Sequence, residues 1–142
     1  MKHANELFQL NGKVAIVTGG RGLYGASISA GLCEMGGTVI IASRNGEKCE
    51  EYAAELRSQG YSAKGLPLDL NDDVSIRVLE ETVIREYGKI DILVNNAVDR
   101  RNLRPLEKAT REALQASAST NLNGQILLSQ AVLRHMVQAK SG

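Results

Sequence analysis

The sequence has no apolar run approaching the roughly 20 residues that a membrane-spanning helix needs. Its first ten residues, MKHANELFQL, contain no apolar stretch, so we expect no signal peptide. The net charge of +1 provides no overall field that would attract nucleic acid or an anionic membrane. These absences predict a cytoplasmic protein that has neither nucleic acid nor a membrane as a partner.

Cysteine, histidine and aromatic residues are also scarce. The two cysteines, Cys33 and Cys49, lack metal-site spacing, so we interpret them as reduced structural thiols and predict no metal. Neither His3 nor His135 belongs to a recognisable motif. With 4% aromatic residues, the three arginines of residues 99–104 have no stacking platform for single-stranded nucleic acid. We interpret that segment as a solvated or substrate-side loop.

What the sequence does contain is four short apolar segments that alternate with helical patterns. The predicted strands are 13–17, 38–42, 62–68 and 90–94, and the predicted helices are 25–35, 47–58, a segment capped by Asn71 and ending at Gly88, and about 109–140. Gly65 and Pro67 weaken the third strand and place it at an edge. Such alternation predicts an α/β fold, a doubly wound parallel sheet with strand order 3-2-1-4. Its crevice should lie between strands 1 and 4.

A glycine-rich turn follows the first strand. The turn, TGGRGLYG, places Gly19, Gly20, Gly22 and Gly25 between an apolar strand and an apolar helix. Glycines let backbone amides approach a pyrophosphate at a helix N-terminus, where the helix dipole favours an anion. A tight turn without a ligand is the alternative interpretation, because such a turn also requires glycine.

Two amides, Asn95 and Asn96, stand unusually at the end of the fourth predicted strand. Together with the turn, Asp69 and Asn121, the segment Asn95-Asn96-Ala97 resembles the short-chain dehydrogenases/reductases from about Phe8 to the C-terminus. The resemblance implies a Rossmann-like NAD(P)-binding domain over residues 1–142, truncated after the fourth βα unit. It also implies that the strand-4 tip ties the sheet together and passes along the cofactor ribose. The alternative is an amide-capped strand end without a ligand.

The resemblance further implies a set of cofactor-binding residues, although two positions depart from the family pattern. Leu23 stands where the usual turn has a glycine, and Val98 replaces the glycine that follows the alanine. Asp69, followed by Leu70, matches the residue that accepts from the adenine amino group. The implied set is Thr18, Gly19, Gly20, Arg21, Gly22, Leu23, Gly25, Ser43, Arg44, Asp69, Leu70, Asn95, Asn96 and Ala97.

The end of strand 2 predicts NADP in preference to NAD. An NAD site places an acid there to hold the ribose 2′-hydroxyl, whereas an NADP site needs a cation for the 2′-phosphate. This chain has Ser43 and then Arg44, whose planar guanidinium can bind a phosphate through two hydrogen bonds. Arg21 is a candidate second cation. The alternative for Arg44 is a solvated arginine in a turn.

The catalytic Tyr-x-x-x-Lys of the family is absent from these 142 residues. Four residues after each tyrosine stand Ile28, Leu56, Gly65 and Asp91. Only Asn121 matches a catalytic residue of the family, one that holds a helix kink and a water; a plain polar interruption between helices is its alternative. We therefore weigh two hypotheses: an oxidoreductase acting on a small carbonyl or alcohol, represented by its cofactor-binding half, and a non-catalytic nucleotide-binding or dimerising protein.

The last predicted helix, 125–140, is apolar around much of its circumference. In the family this helix packs on the sheet and also builds the dimer interface. We expect one face to cover strands 1 and 4 and the other to support a homo-oligomer.

Overall fold

A computed structural model describes residues 4–142, so His3 and the first two residues of the predicted polar start lie outside the described part of the chain. The helices are α1 (Ala4–Leu7), α2 (Leu23–Glu34), α3 (Gly46–Ser58), α4 (Asp73–Tyr87), α5 (Arg111–Ala118) and α6 (Gln125–Ala139). The strands are β1 (Val14–Thr18), β2 (Thr38–Ser43), β3 (Ser62–Pro67) and β4 (Ile92–Val94). A 3₁₀ turn (Leu106–Lys108) and a π-helical turn (Ser119–Gly124) complete the order.

The four strands form one parallel sheet in the order β3-β2-β1-β4. This arrangement confirms the predicted fold class, the strand order and the edge position of β3. Every residue of β1 is buried, which agrees with a central strand covered on both faces.

Alternate residues of the central strands supply two separate cores. Ile16 and Ile40 pack with α4 and α6 on one face, through side chains such as Leu79 and Leu128. Val17 and Ile41 pack with α2 and α3 on the other face. Because successive side chains of a strand point to opposite faces, a continuous apolar run serves both layers.

Most predicted boundaries differ from the structure by one or two residues, and two of the differences have a local physical reason. β4 begins at Ile92 rather than at residue 90, because the Asp91 carboxylate accepts the Val14 amide at 2.9 Å. Asp72, not Asn71, caps α4, since its Oδ1 accepts the Val74 amide at 2.9 Å. The predicted helical region from about 109 to 140 is helical from Arg111 to Ala139, with the π-helical turn between α5 and α6.

Candidate functional site

The glycine turn after β1 is shaped by close backbone approaches. Gly19 has a φ of +64°, and its amide donates to the Ala42 carbonyl of β2 at 2.7 Å. A Cβ on Gly25 would lie 2.0 Å from the Gly19 carbonyl oxygen. A side chain at position 25 is therefore incompatible with this path, and α2 starts directly against the turn.

The remaining residues of the turn differ in where they lie. Gly20 is buried, and its carbonyl accepts the Ser29 hydroxyl of α2 at 2.9 Å. Gly22 is the N-cap of α2 and makes no side-chain capping bond. Leu23 is 85% exposed and lines a recess with Gly25, Asn96, Ala97 and Arg100. Arg21 is exposed and lines neither this recess nor the crevice described below.

Thr18 joins the end of β1 to the segment that follows β4. Its side chain is fully buried, and its Oγ1 accepts the amides of Asn96 and Ala97, each at 3.0 Å. The same hydroxyl donates to the Val94 carbonyl at 3.3 Å. One side chain thus satisfies three backbone groups and holds the end of β1 to the segment after β4.

The side chains of Asn95 and Asn96 form hydrogen bonds with two different parts of the fold. Asn96 donates from Nδ2 to the carbonyls of Thr18 and Gly19, at 3.0 and 3.2 Å. Asn95 donates from Nδ2 to the Ser129 hydroxyl of α6 at 2.9 Å. The amide pair at the end of β4 therefore fixes the glycine turn on one side and the last helix on the other.

The carboxyl ends of all four strands open into one crevice. The residues that line it are Gly19, Ala42, Ser43, Arg44, Leu68, Asp69, Leu70, Asn71, Ala97, Val98, Asp99 and Thr120. Six of the predicted cofactor-binding residues are among them. In doubly wound sheets, ligands bind in such a crevice, outside the carboxyl ends of the strands at the topological switch point.

At the β2 and β3 ends, the crevice is lined by residues of the predicted cofactor-binding set. Ser43 is half-buried and Arg44 is exposed, and both residues line the crevice. Asp69 is half-buried and its Oδ1 accepts the Asn71 amide at 2.9 Å, which fixes the carboxylate. The buried Leu70 supplies an apolar surface next to it.

Asn121 lies in the π-helical turn and holds the loop after β4. Its Oδ1 accepts the Asp99 amide at 2.7 Å, and its Nδ2 donates to the Asp99 carbonyl at 2.9 Å. The side-chain amide of Asn121 thus pairs with both backbone groups of Asp99, as a neighbouring strand would. Asn121 therefore connects the π-helical turn to Asp99, which lines the crevice.

Asp99 is a buried carboxylate in the crevice that the sequence did not single out. It is 7% exposed and binds Arg101, whose Nε lies 2.9 Å from both of its carboxylate oxygens. The Arg101 side chain, then the Arg101 amide, lower the pKa of Asp99 well below its usual range, and Arg44 adds to the effect. The Asp-x-Arg spacing at the start of an arginine-rich loop is the available sequence signal for this pair.

The described residues carry no metal cluster and no membrane span. Within residues 4–142, no group of three or more His, Cys, Asp or Glu side chains is placed to hold a metal ion. None of the helices in that part of the chain is both long and apolar enough to cross a bilayer.

Comparison with known proteins places this geometry in a family. A family model described as short chain dehydrogenase matches residues 13–142. D-threitol dehydrogenase of Mycolicibacterium smegmatis is 35% identical over 100% of this chain and 56% of its own length.

Solved structures give the same result for the fold. A gluconate 5-dehydrogenase from Burkholderia cenocepacia in complex with NADP and tartrate has a TM-score of 0.89 at 35% identity, covering 99% of this chain and 55% of that chain. NAD+-bound xylitol dehydrogenase has a TM-score of 0.86 at 28% identity, covering 94% of this chain and 51% of that chain. The chain spans about half the length of the curated relatives it matches. It belongs to the short-chain dehydrogenase family.

Proposed function

We propose that this chain binds NADP(H) in the crevice at the carboxyl ends of its strands. The observation that carries the proposal is the convergence of Gly19, Ser43, Arg44, Asp69 and Ala97 on one recess, although they lie on four different strand ends. Arg44 suits the 2′-phosphate, Asp69 suits the adenine amino group, and Ala97 suits the ribose. These are parts of one dinucleotide.

The glycine turn fits the pyrophosphate of such a ligand. Gly22 has no side chain with which to cap α2, so the amides of the first helical turn are available to an anion. The recess beside the turn includes Gly22 and Gly25, which have no side chain to cover the backbone. We also assign Gly20 to the pyrophosphate site; its carbonyl accepts a hydrogen bond from the Ser29 hydroxyl.

The preference for NADP(H) rests on Ser43 and Arg44. Neither is an acid, so no carboxylate at the β2 end repels a 2′-phosphate or accepts from a free 2′-hydroxyl. Similar solved structures carry either NADP or NAD+, so the choice depends on these side chains rather than on the fold.

For the complete reaction we propose carbonyl and secondary-alcohol interconversion. When bound, a nicotinamide cofactor supplies or accepts the hydride. D-threitol dehydrogenase and gluconate 5-dehydrogenase are among the relatives, so a small polyol or sugar acid is the substrate class that we favour. Asn121 would hold the helix kink and the crevice wall. A cytoplasmic location and a homo-oligomeric assembly belong to the same proposal.

The isolated 142-residue chain should bind the cofactor without turning it over, because it has no Tyr-x-x-x-Lys. General acid catalysis typically contributes ~10²- to 10⁴-fold to a rate, and here the acid and its lysine are missing. This observation also favours the second candidate, a non-catalytic nucleotide-binding protein.

Calorimetric titration of the purified chain with NADPH and NADH, followed by NADPH oxidation assays with polyol-derived ketones and keto sugar acids, tests both points. We expect tighter binding of NADPH and no turnover. Absence of binding to either cofactor would refute the proposed function. Robust reduction of a carbonyl by chain free of contaminating enzymes would refute the predicted lack of turnover.

A further inference from the structure

A buried thiol contacts the hydroxyl of Ser43, a residue that lines the crevice. Cys49 is fully buried in α3, and its Sγ lies 2.9 Å from Ser43 Oγ. Ser43 itself lines the crevice beside Arg44. In the part of the chain that the structure describes, the Ser43 hydroxyl makes no other hydrogen bond. Cys49 is therefore the group that determines where the Ser43 proton points.

Either atom of this pair can be the donor, and the two arrangements differ in what they offer a ligand. If the Ser43 hydroxyl donates to the Cys49 sulfur, it can only accept a hydrogen bond from a ligand in the crevice. If the Cys49 thiol donates to Ser43 Oγ, the hydroxyl proton is free to point into the crevice. A phosphate dianion only accepts hydrogen bonds, so it selects the second arrangement.

We propose that Cys49 is a positioning residue that sets the Ser43 hydroxyl to donate to the 2′-phosphate of NADP(H). This inference rests on the proposed function, since it concerns the same crevice. The chain of bonds runs from the thiol to the hydroxyl to the phosphate, and each bond polarises the next. NAD(H), which has a hydroxyl in place of the phosphate, both donates and accepts and does not require this orientation.

The second cysteine provides a matched control. Cys33 is also buried in the core between the sheet and helices α2 and α3, and its thiol lies 3.7 Å from the Ser62 carbonyl. Ser62 begins β3, whereas Ser43 ends β2, so Cys33 lies toward the opposite end of the sheet from the crevice. Removing either thiol perturbs the same core, but only Cys49 contacts a crevice side chain.

The test compares the Kd values of NADP+ and NAD+ for wild-type chain, Cys49→Ala, Cys49→Ser and Cys33→Ala. We expect Cys49→Ala to weaken NADP+ binding about twofold to fivefold, the low range for a neutral hydrogen bond with a weak donor, and to leave NAD+ binding unchanged. Cys49→Ser, which keeps a donor, should restore NADP+ binding. Cys33→Ala should bind both cofactors as wild type does.

A double-mutant cycle and a spectroscopic measurement complete the test. In a Ser43→Ala background, Cys49→Ala should have no further effect on the ratio of the two Kd values. In the wild type, the Raman S–H stretching band of Cys49, assigned by its absence from Cys49→Ala, should move to lower frequency with NADP+ and not with NAD+.

If NADP+ binds and the Kd ratio stays at the wild-type value in Cys49→Ala, the inference is wrong and the proposed function stands. An S–H band that does not move in the wild-type complex also overturns the inference, even if a variant fails to fold. If the wild type binds neither cofactor, the proposed function fails, and this inference fails with it.

Discussion

At the residue scale, the pair Ser43 and Arg44 determines the cofactor preference that we propose. Arg44 is exposed at the end of β2, where it can reach a phosphate without a cost in desolvation. We expect Arg44→Ala to weaken NADPH binding by about 1.5 to 3 kcal/mol, the typical contribution of a hydrogen bond to a charged group, and to leave NADH binding unchanged. Titration of both proteins with both cofactors measures the difference.

The control for Arg44 is Arg77→Ala, which removes another exposed arginine, on α4 and outside the crevice. This variant should bind NADPH as the wild type does. Equal NADPH affinity in Arg44→Ala and the wild type would show that Arg44 is a solvated turn residue, the alternative that its position in a turn also allows.

The buried Asp99 carboxylate makes folding stability depend on pH. Its pKa is lowered in the folded chain by Arg101, while an unfolded aspartate titrates at about 3.9. Because the folded-state pKa is the lower of the two, Asp99 stabilises the fold above pH ~4 and loses that contribution as the pH falls further. We expect Asp99→Asn to lower the free energy of unfolding at pH 7.

Urea denaturation of wild type and Asp99→Asn between pH 3 and 7 measures this effect. The difference between the two free energies should shrink below about pH 4, where the unfolded carboxyl takes up its proton. Glu107→Gln, at an exposed position in the 3₁₀ turn, is the control and should parallel the wild type. A constant difference across the whole pH range would contradict the assignment to Asp99.

Sequence patterns located the residues at the ends of the strands better than the residues that support them. Ser43, Arg44 and Asp69 were predicted at the crevice and do line it. Asp99 was not singled out, because its burial depends on a loop that curls back onto Asn121, far along the chain. The choice of Asp72 over Asn71 as the cap was equally unpredictable, since both residue types cap helices well.

At the scale of elements, the junction between the glycine turn and α2 depends on the lack of a side chain at position 25. A Cβ there would lie 2.0 Å from the Gly19 carbonyl oxygen and 2.7 Å from Asn96 Nδ2. We expect Gly25→Ala to destabilise the fold by roughly 1 to 3 kcal/mol, as overpacking does, despite the better helix propensity of alanine. Thermal unfolding measures the change.

Gly31 lies in the same helix and serves as the matched control. A Cβ at that position meets nothing within 4 Å, so Gly31→Ala should stabilise the chain by up to about 1 kcal/mol through helix propensity alone. If both alanine variants were stabilised equally, the close approach at Gly25 would not exist in the folded protein.

Elements with strong local signals were predictable, and elements set by long-range contacts were not. The edge position of β3 follows from Pro67, which has no amide to donate. The tight packing of α3 on β3 was not predictable from a local signal. Gly65 permits this packing, because a Cβ at that position would lie 2.0 Å from the Glu50 amide nitrogen. The family resemblance implied a helix kink at Asn121, but no local sequence pattern predicted that this turn would be π-helical.

At the scale of the whole molecule, α6 has apolar side chains that are exposed on the face turned away from the sheet. Leu128 and Val132 are buried against the sheet, whereas Leu133 and Val137 are 55% and 67% exposed. Together with Ile126 and Leu127, which are 50% and 40% exposed, these side chains make a set of four. Burying all four offers at most roughly 6 to 12 kcal/mol, because 1.5 to 3 kcal/mol each applies to a fully exposed side chain. Association costs ~4 to 15 kcal/mol of lost freedom, so the balance is marginal and we expect weak association, as a dimer or soluble aggregate at micromolar concentration.

Sedimentation equilibrium of the wild type and of a Leu133→Glu, Val137→Glu double variant tests the association. The double variant should be a monomer, because two charges cannot be buried at the contact without a partner. The matched control is Gln138→Glu, which adds a charge at an exposed polar position of the same helix. A wild type that is monomeric throughout the micromolar range would refute the prediction. Leu128 and Val132 are unsuitable probes, since charging them would disrupt the chain's own core.

The two neighbouring amides at the end of β4 give the fold a mechanical property. The Asn96 side chain donates to the Gly19 carbonyl and the Asn95 side chain donates to Ser129 of α6, so two adjacent residues join the glycine turn to the last helix. If α6 shifts along its axis, the strain reaches the turn through one covalent link of about 3.8 Å, the spacing of adjacent Cα atoms. The glycine turn and α6 are thus linked through polar groups in addition to the apolar cores on the two faces of the sheet.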